Sequence, residues 1–107
     1  MRYLILNLLA VAALAAAPAK QTFTGIITDD VCIADHSHMR MGPTDGECTI
    51  ACVDVHGASY ILYDGKNAYT LSDQRTPEKF AGQKVRIIGT LNTKTKTIQV
   101  DSIAVAK

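Results

Sequence analysis

The sequence predicts a mostly β fold: a small five-stranded barrel of the OB type with one short helix, preceded by a signal peptide. Three observations predict it. Short runs rich in β-branched and aromatic residues recur along the chain, separated by turns bearing Gly, Asp and Asn. A single stretch of modest length carries both a helix start and a helix stop. The long crossover helices that a three-layer α/β fold requires are missing from the pattern.

The chain opens on Arg2, followed by an apolar run over residues 3–17 broken only by Asn7, and then Pro18, Ala19 and Lys20. A charged start, an apolar middle and small residues at the end are the parts of a secretory signal. The run is shorter than the roughly 20 residues a membrane-spanning helix needs. Residues 1–19 are therefore expected to be removed, leaving residues 20–107 as one domain without a stable membrane anchor, in the periplasm or secreted. The whole chain has 11 Lys and Arg against 10 Asp and Glu. Removing Arg2 with the leader balances the two, so the basic excess on which general nucleic-acid or membrane-surface binding rests is not there.

The first strand is read over residues 22–28, where Gly25 interrupts a β-branched run and predicts a bend. Residues 29–47 are polar, hold Gly42, Pro43 and Gly46, and read as a long loop with one helical turn near Cys32. Thr44 or Asp45 is placed to cap a helix that runs to about His56 and stops at Gly57. Residues 59–63 and 68–71 flank Asp64-Gly65-Lys66-Asn67 and form a hairpin. Residues 76–82, with Pro77 in the first helical position, read as a single helical turn. Residues 84–91 and 97–105 are the last two strands. In the final one the apolar positions change phase at Asp101-Ser102, which predicts a β-bulge, with Val85, Ile87, Ile98 and Val100 facing inward.

Residues 80–91 continuing to 98–103 resemble the closing strands of small exported bacterial OB-fold domains. Thr24-Gly25-Ile26-Ile27-Thr28-Asp29 followed by Cys32, and then Cys48 and Cys52 ahead of a hairpin, resembles a family of such domains of unknown function, marked by Asp-x-x-Cys and Cys-x-x-x-Cys. The resemblance implies the fold and export. It implies no reaction.

Three residues separate Cys32 from His36 and Cys48 from Cys52, with eleven residues between the pairs. Structural zinc takes four soft or borderline donors, commonly from two short-spaced pairs. On a helix, positions four apart share a face with Cβ atoms about 5–6 Å apart, which suits two thiolates on one ion but is too wide for a disulfide between them. The ligand set expected is Cys32, His36, Cys48 and Cys52, with His38 as a substitute fourth. A second reading stands beside it: a disulfide from Cys32 to Cys48 or to Cys52, as is common in exported proteins, leaving one thiol over. His36, His38, Met39 and Met41 add imidazole and thioether donors, so copper(I) stands with zinc as the cofactor expected. His56 is read as a helix C-terminal residue interacting with the dipole rather than as a ligand.

No Cys-x-x-Cys redox pair, phosphate-binding glycine loop or serine nucleophile elbow is present, and Asp29, Asp30 and Asp35 surround Cys32 with negative charge that disfavours its thiolate. The expectation is a non-enzymatic metal-binding module. The alternative is a disulfide-stabilised module whose barrel face or Tyr60, Tyr63 and Tyr69 contact a peptide, a glycan or a partner protein.

Overall fold

The computed structural model describes residues 19–33, 35 and 44–107. Residues 1–18, on which the expected signal peptide falls, and the segment holding His36, His38, Met39 and Met41 lie outside the described residues. Strand β1 (Gln21–Asp29) is followed by helix α1 (Asp45–His56), the hairpin β2 (Tyr60–Tyr63) and β3 (Ala68–Leu71), a 3₁₀ helix (Thr76–Phe80), and the long pair β4 (Lys84–Asn92) and β5 (Thr97–Val105). The five strands form one sheet that closes on itself in the order β1-β2-β3-β5-β4.

Closure depends on β1 having two partners. Gln21 to Ile26 pair with β4, and Ile26 to Asp29 pair with β2, both antiparallel. Gly25 sits where the strand passes from one partner to the other, and a Cβ there would stand 2.5 Å from the Tyr63 carbonyl oxygen. The expected bend is therefore a close approach of backbones that only glycine permits. The other seam is the parallel contact of β3 with β5 at Thr70–Thr97 and Leu71–Ile98.

Alternation along the strands builds the interior. On β4, Val85, Ile87 and Gly89 are buried between exposed neighbours. Ile27, Tyr60, Leu62, Leu71, Val85, Ile87 and Ile98 form the core, with Val100 and Ile103 packed against it. Ile88 pairs with Ser102 and Gly89 with Val100, so Asp101 is the extra residue on β5. That is the bulge the apolar phase change predicts, and it lets both Ile98 and Ile103 reach the core.

The helix is set by local chemistry. The Thr44 hydroxyl accepts from the Glu47 amide at 3.2 Å and donates to the Glu47 carboxylate at 3.2 Å, while Gly57 closes the last turn in the left-handed region. Its first turn is wedged against the entry to β4: a Cβ on Gly46 would meet the Ala81 carbonyl oxygen at 2.6 Å. The ends of the excursion between β1 and β2 are tied together, because Asp30 N donates to Ser59 O at 3.1 Å and Ser59 N to the Asp30 carboxylate at 3.0 Å. The helix thus lies over the end of the ring where β1 finishes and β2 begins. This explains why Ile27, Thr28 and Asp29 are buried in succession at a strand end that periodicity alone would leave half exposed.

Two outcomes follow from the packing. Ile87→Asp places an unpaired carboxylate in the core at a cost of several kcal/mol, comparable with a small domain's total stability of roughly 5 kcal/mol; circular dichroism is expected to show an unfolded chain. Burial, reinforced by Glu78 and Asp54, pushes the Tyr60 phenol up to about 12. The folded state therefore holds that proton after the unfolded chain, which ionises near 10, has lost it. Stability carried by Tyr60 is complete below pH 10 and is lost as pH rises towards 12. Denaturant melts across this window should show a decline that Tyr60→Phe makes shallower.

Candidate metal centre

Asp29 is the last residue of β1 and is fully buried. One of its carboxylate oxygens accepts from the amides of Val31 and Cys32, both at 3.0 Å, and the chain then turns so that the Ile33 amide donates to the Asp29 carbonyl at 3.0 Å. The turn is held further by Thr28, whose hydroxyl donates to the Ile33 carbonyl at 2.7 Å. An aspartate bonding amides two and three residues ahead is a common way to reverse a chain at a strand end. Here it carries Cys32 back over the carboxylate that makes the turn.

The helix delivers the other thiols. Cys48, Thr49 and Cys52 form its buried face. Ligand atoms of Asp29, Cys32 and Cys52 all lie within 4.8 Å of one another, and this group is able to hold a metal ion. Donors on a tetrahedral zinc at about 2.3 Å stand about 3.8 Å apart, so the cluster needs only a small contraction around an ion. Asp29 and Cys52 are buried and Cys32 is half-buried, which leaves one edge open to solvent. No disulfide joins the three cysteines in this structure.

Burial and nearby negative charge keep Cys32 and Cys52 protonated. Burial pushes Cys52 up to about 12, and Asp29, Cys32 and Cys48 add to the effect. Cys32 is also raised, by burial first and then by Asp29, against a hydrogen bond with Cys52 that works the other way. Of the three carboxylates foreseen around Cys32, Asp29 is the larger contributor and Asp35 the smaller, while Asp30 accepts from the Ser59 amide instead. Cys32 and Cys52, beside the Asp29 carboxylate, have little thiolate character without a positive charge among them. A bound cation supplies that charge.

Of the five residues predicted as ligands, the structure brings Cys32 and Cys52 together. Cys48 lies one helical turn from Cys52, electrostatically coupled to both sulfurs but outside the tight trio. His36 and His38 lie outside the described residues. His56 is the exposed last residue of α1. Asp29 is the candidate donor that sequence reasoning missed, having read it as a source of negative field at Cys32. The available signal was the Asp-x-x-Cys spacing itself, since an aspartate turn folds the residue three positions on over its own carboxylate. Comparisons of the chain with protein-family models, with curated proteins and with solved structures returned no match.

The turn-forming role of Asp29 and its candidacy as a ligand are separable. Asp29→Ala removes the acceptor of two amide bonds in a buried turn and should cost roughly 2–4 kcal/mol of stability. Asp29→Asn keeps a carbonyl oxygen for those amides and should cost less than half as much, while weakening metal binding as strongly as the alanine variant. Chemical denaturation of metal-free protein beside metal titration checks both.

Proposed function

We propose that this protein is a small exported metal-binding module built on an OB-type barrel, and that it holds one zinc or copper(I) ion through Cys32, Cys52 and Asp29. The observation that carries this reading is the convergence of three donors within 4.8 Å, delivered by a strand-end turn and a helix that are far apart in sequence. Two sulfurs favour zinc and copper(I) over magnesium or calcium, which take oxygen donors. Cys48 stands ready beside the cluster as a further thiolate. His36 and His38, in the segment that joins Cys32 to the helix, are the sequence-based candidates for the remaining position. The strand order, with β1 shared between β2 and β4 and a parallel β3–β5 seam, supports the OB-type description. Export rests on the leader-like start of the sequence.

Metal gathered by ligands that are separate in the unfolded chain appears as folding free energy. At a free-ion concentration a hundred times the dissociation constant the gain is about 2.7 kcal/mol, or roughly 10–20 °C in melting temperature for a domain of this size. Thermal melts of the reduced protein with and without zinc or copper(I) should show this rise. Cys52→Ser should abolish it and His56→Ala should leave it intact. The rival arrangement is a Cys32–Cys52 disulfide in a module that binds a peptide, glycan or protein partner; it is supported by the same proximity of sulfurs. Under that arrangement, native mass of the exported protein shows a loss of two hydrogens and no metal, and added metal leaves the melt unchanged. The same mass measurement reads the first mature residue, expected to be Lys20.

A further inference from the structure

The three cysteines differ in what can reach them. Cys48, Cys52 and Asp29 are fully buried, and Cys32 is the member of the cluster that is partly open to solvent. A dissolved reagent therefore meets the Cys32 sulfur first. The next sulfur inward is that of Cys52, which stands within 4.8 Å of it and shares a hydrogen bond with it.

Cys48 is placed differently. It precedes Cys52 by one turn of α1, where Cβ atoms stand about 5–6 Å apart, against the roughly 3.5–4.5 Å that a disulfide needs. It also lies outside the group formed by Asp29, Cys32 and Cys52. The geometry thus favours one sulfur pair for bonding, Cys32 with Cys52.

These are the two sulfurs that the proposed metal centre uses. A sulfur binds an ion as a thiolate, and joining two thiolates in a disulfide removes the negative charge of both. Oxidation therefore takes away two of the three converging donors in one reaction. Asp29 stays behind with one oxygen already accepting from the amides of Val31 and Cys32. Even with Cys48 beside it, that leaves two donors where zinc takes four.

We propose that Cys32 and Cys52 form a redox switch on the metal centre: a small-molecule disulfide reacts at Cys32, the two cysteines join, and the ion is released. The switch rests on the metal-centre reading of the cluster. In its first step the Cys32 sulfur attacks one sulfur of the reagent, the S–S bond of the reagent breaks, and half of it leaves as a thiolate. In the second the Cys52 sulfur attacks the Cys32 sulfur of the mixed disulfide and expels the other half. The protein gives up two electrons and the reagent gains them. Each leaving thiolate takes one proton, from the cysteine thiols in metal-free protein and from water when the ion is bound.

The test uses the purified protein, reduced and loaded with zinc, and bis(hydroxyethyl) disulfide as the reagent. Zinc is followed with a chromogenic chelator, thiols are counted by alkylation after denaturation, and the linkage is mapped by peptide mass spectrometry. One zinc should be released for every two thiols lost, with Cys32 joined to Cys52 and Cys48 still alkylated. A phosphine reductant should restore zinc uptake. In metal-free protein Cys52→Ser should halt at a mixed disulfide on Cys32, Cys32→Ser should slow thiol loss at least tenfold, and Cys48→Ser should still form the disulfide. Zinc that is taken up but retained against excess reagent, or a disulfide that includes Cys48, would overturn the switch and leave the metal centre standing. Failure of the reduced protein to take up zinc or copper(I) would overturn the metal centre itself, and the switch with it.

Discussion

The bend of β1 is the constraint on which the rest of the structure depends. One strand supplies hydrogen bonds to β4 along its first half and to β2 along its second, so these two pairings meet on nine residues. A domain this small buries only a modest apolar area, and closing the sheet removes the open edges that such a domain would otherwise expose. Gly25 permits the turn of direction, and the two halves of the strand then place Ile27 in the core and Asp29 at the rim. Everything described at the thiol cluster begins at that last residue.

The rim is where fold and chemistry share parts. The carboxylate of Asp29 both orders the turn that follows β1 and stands as a donor beside Cys32 and Cys52. A buried carboxylate is tolerated when its oxygens are hydrogen-bonded, and the amides of Val31 and Cys32 meet that need on one oxygen. The helix completes the arrangement because its cap, its tight contact at Gly46 and the Asp30–Ser59 tie fix its position over the end of the ring. Cys52 is carried there by a regular helix, and Cys32 by a turn whose amides are bonded to Asp29.

The helix turns Cys48 and Cys52 inward, while Asp54 and His56 are exposed. Tyr60 opens β2 immediately after the tie between Asp30 and Ser59 and packs its ring in the core. Sequence reasoning set Tyr60 beside Tyr63 and Tyr69 as a possible contact surface. In the fold Tyr60 is a core residue, Tyr69 is half-buried against Phe23 with ring centroids 5.7 Å apart, and Tyr63 is half-buried at the end of β2.

Local chemistry is what the sequence determined by itself. The caps at Thr44 and Gly57, the Asp64–Asn67 turn, Pro77 at the start of its helical turn and the phase slip at Asp101 are each decided within a few residues. Each was legible because dihedral preference and short-range hydrogen bonding act at that range. The inward faces of Val85, Ile87 and Ile98 were legible for the same reason, through a period of two. Tertiary structure alone decided which donors meet. Cys32 and Cys52 are twenty residues apart and come together only because the ring ties Asp30 to Ser59 and seats the helix over its end. Asp29 joins them because burial under that helix turns a surface turn former into a buried donor. Spacing records which residues a helix or turn presents on one side, but only long-range packing sets the distance between two such sides.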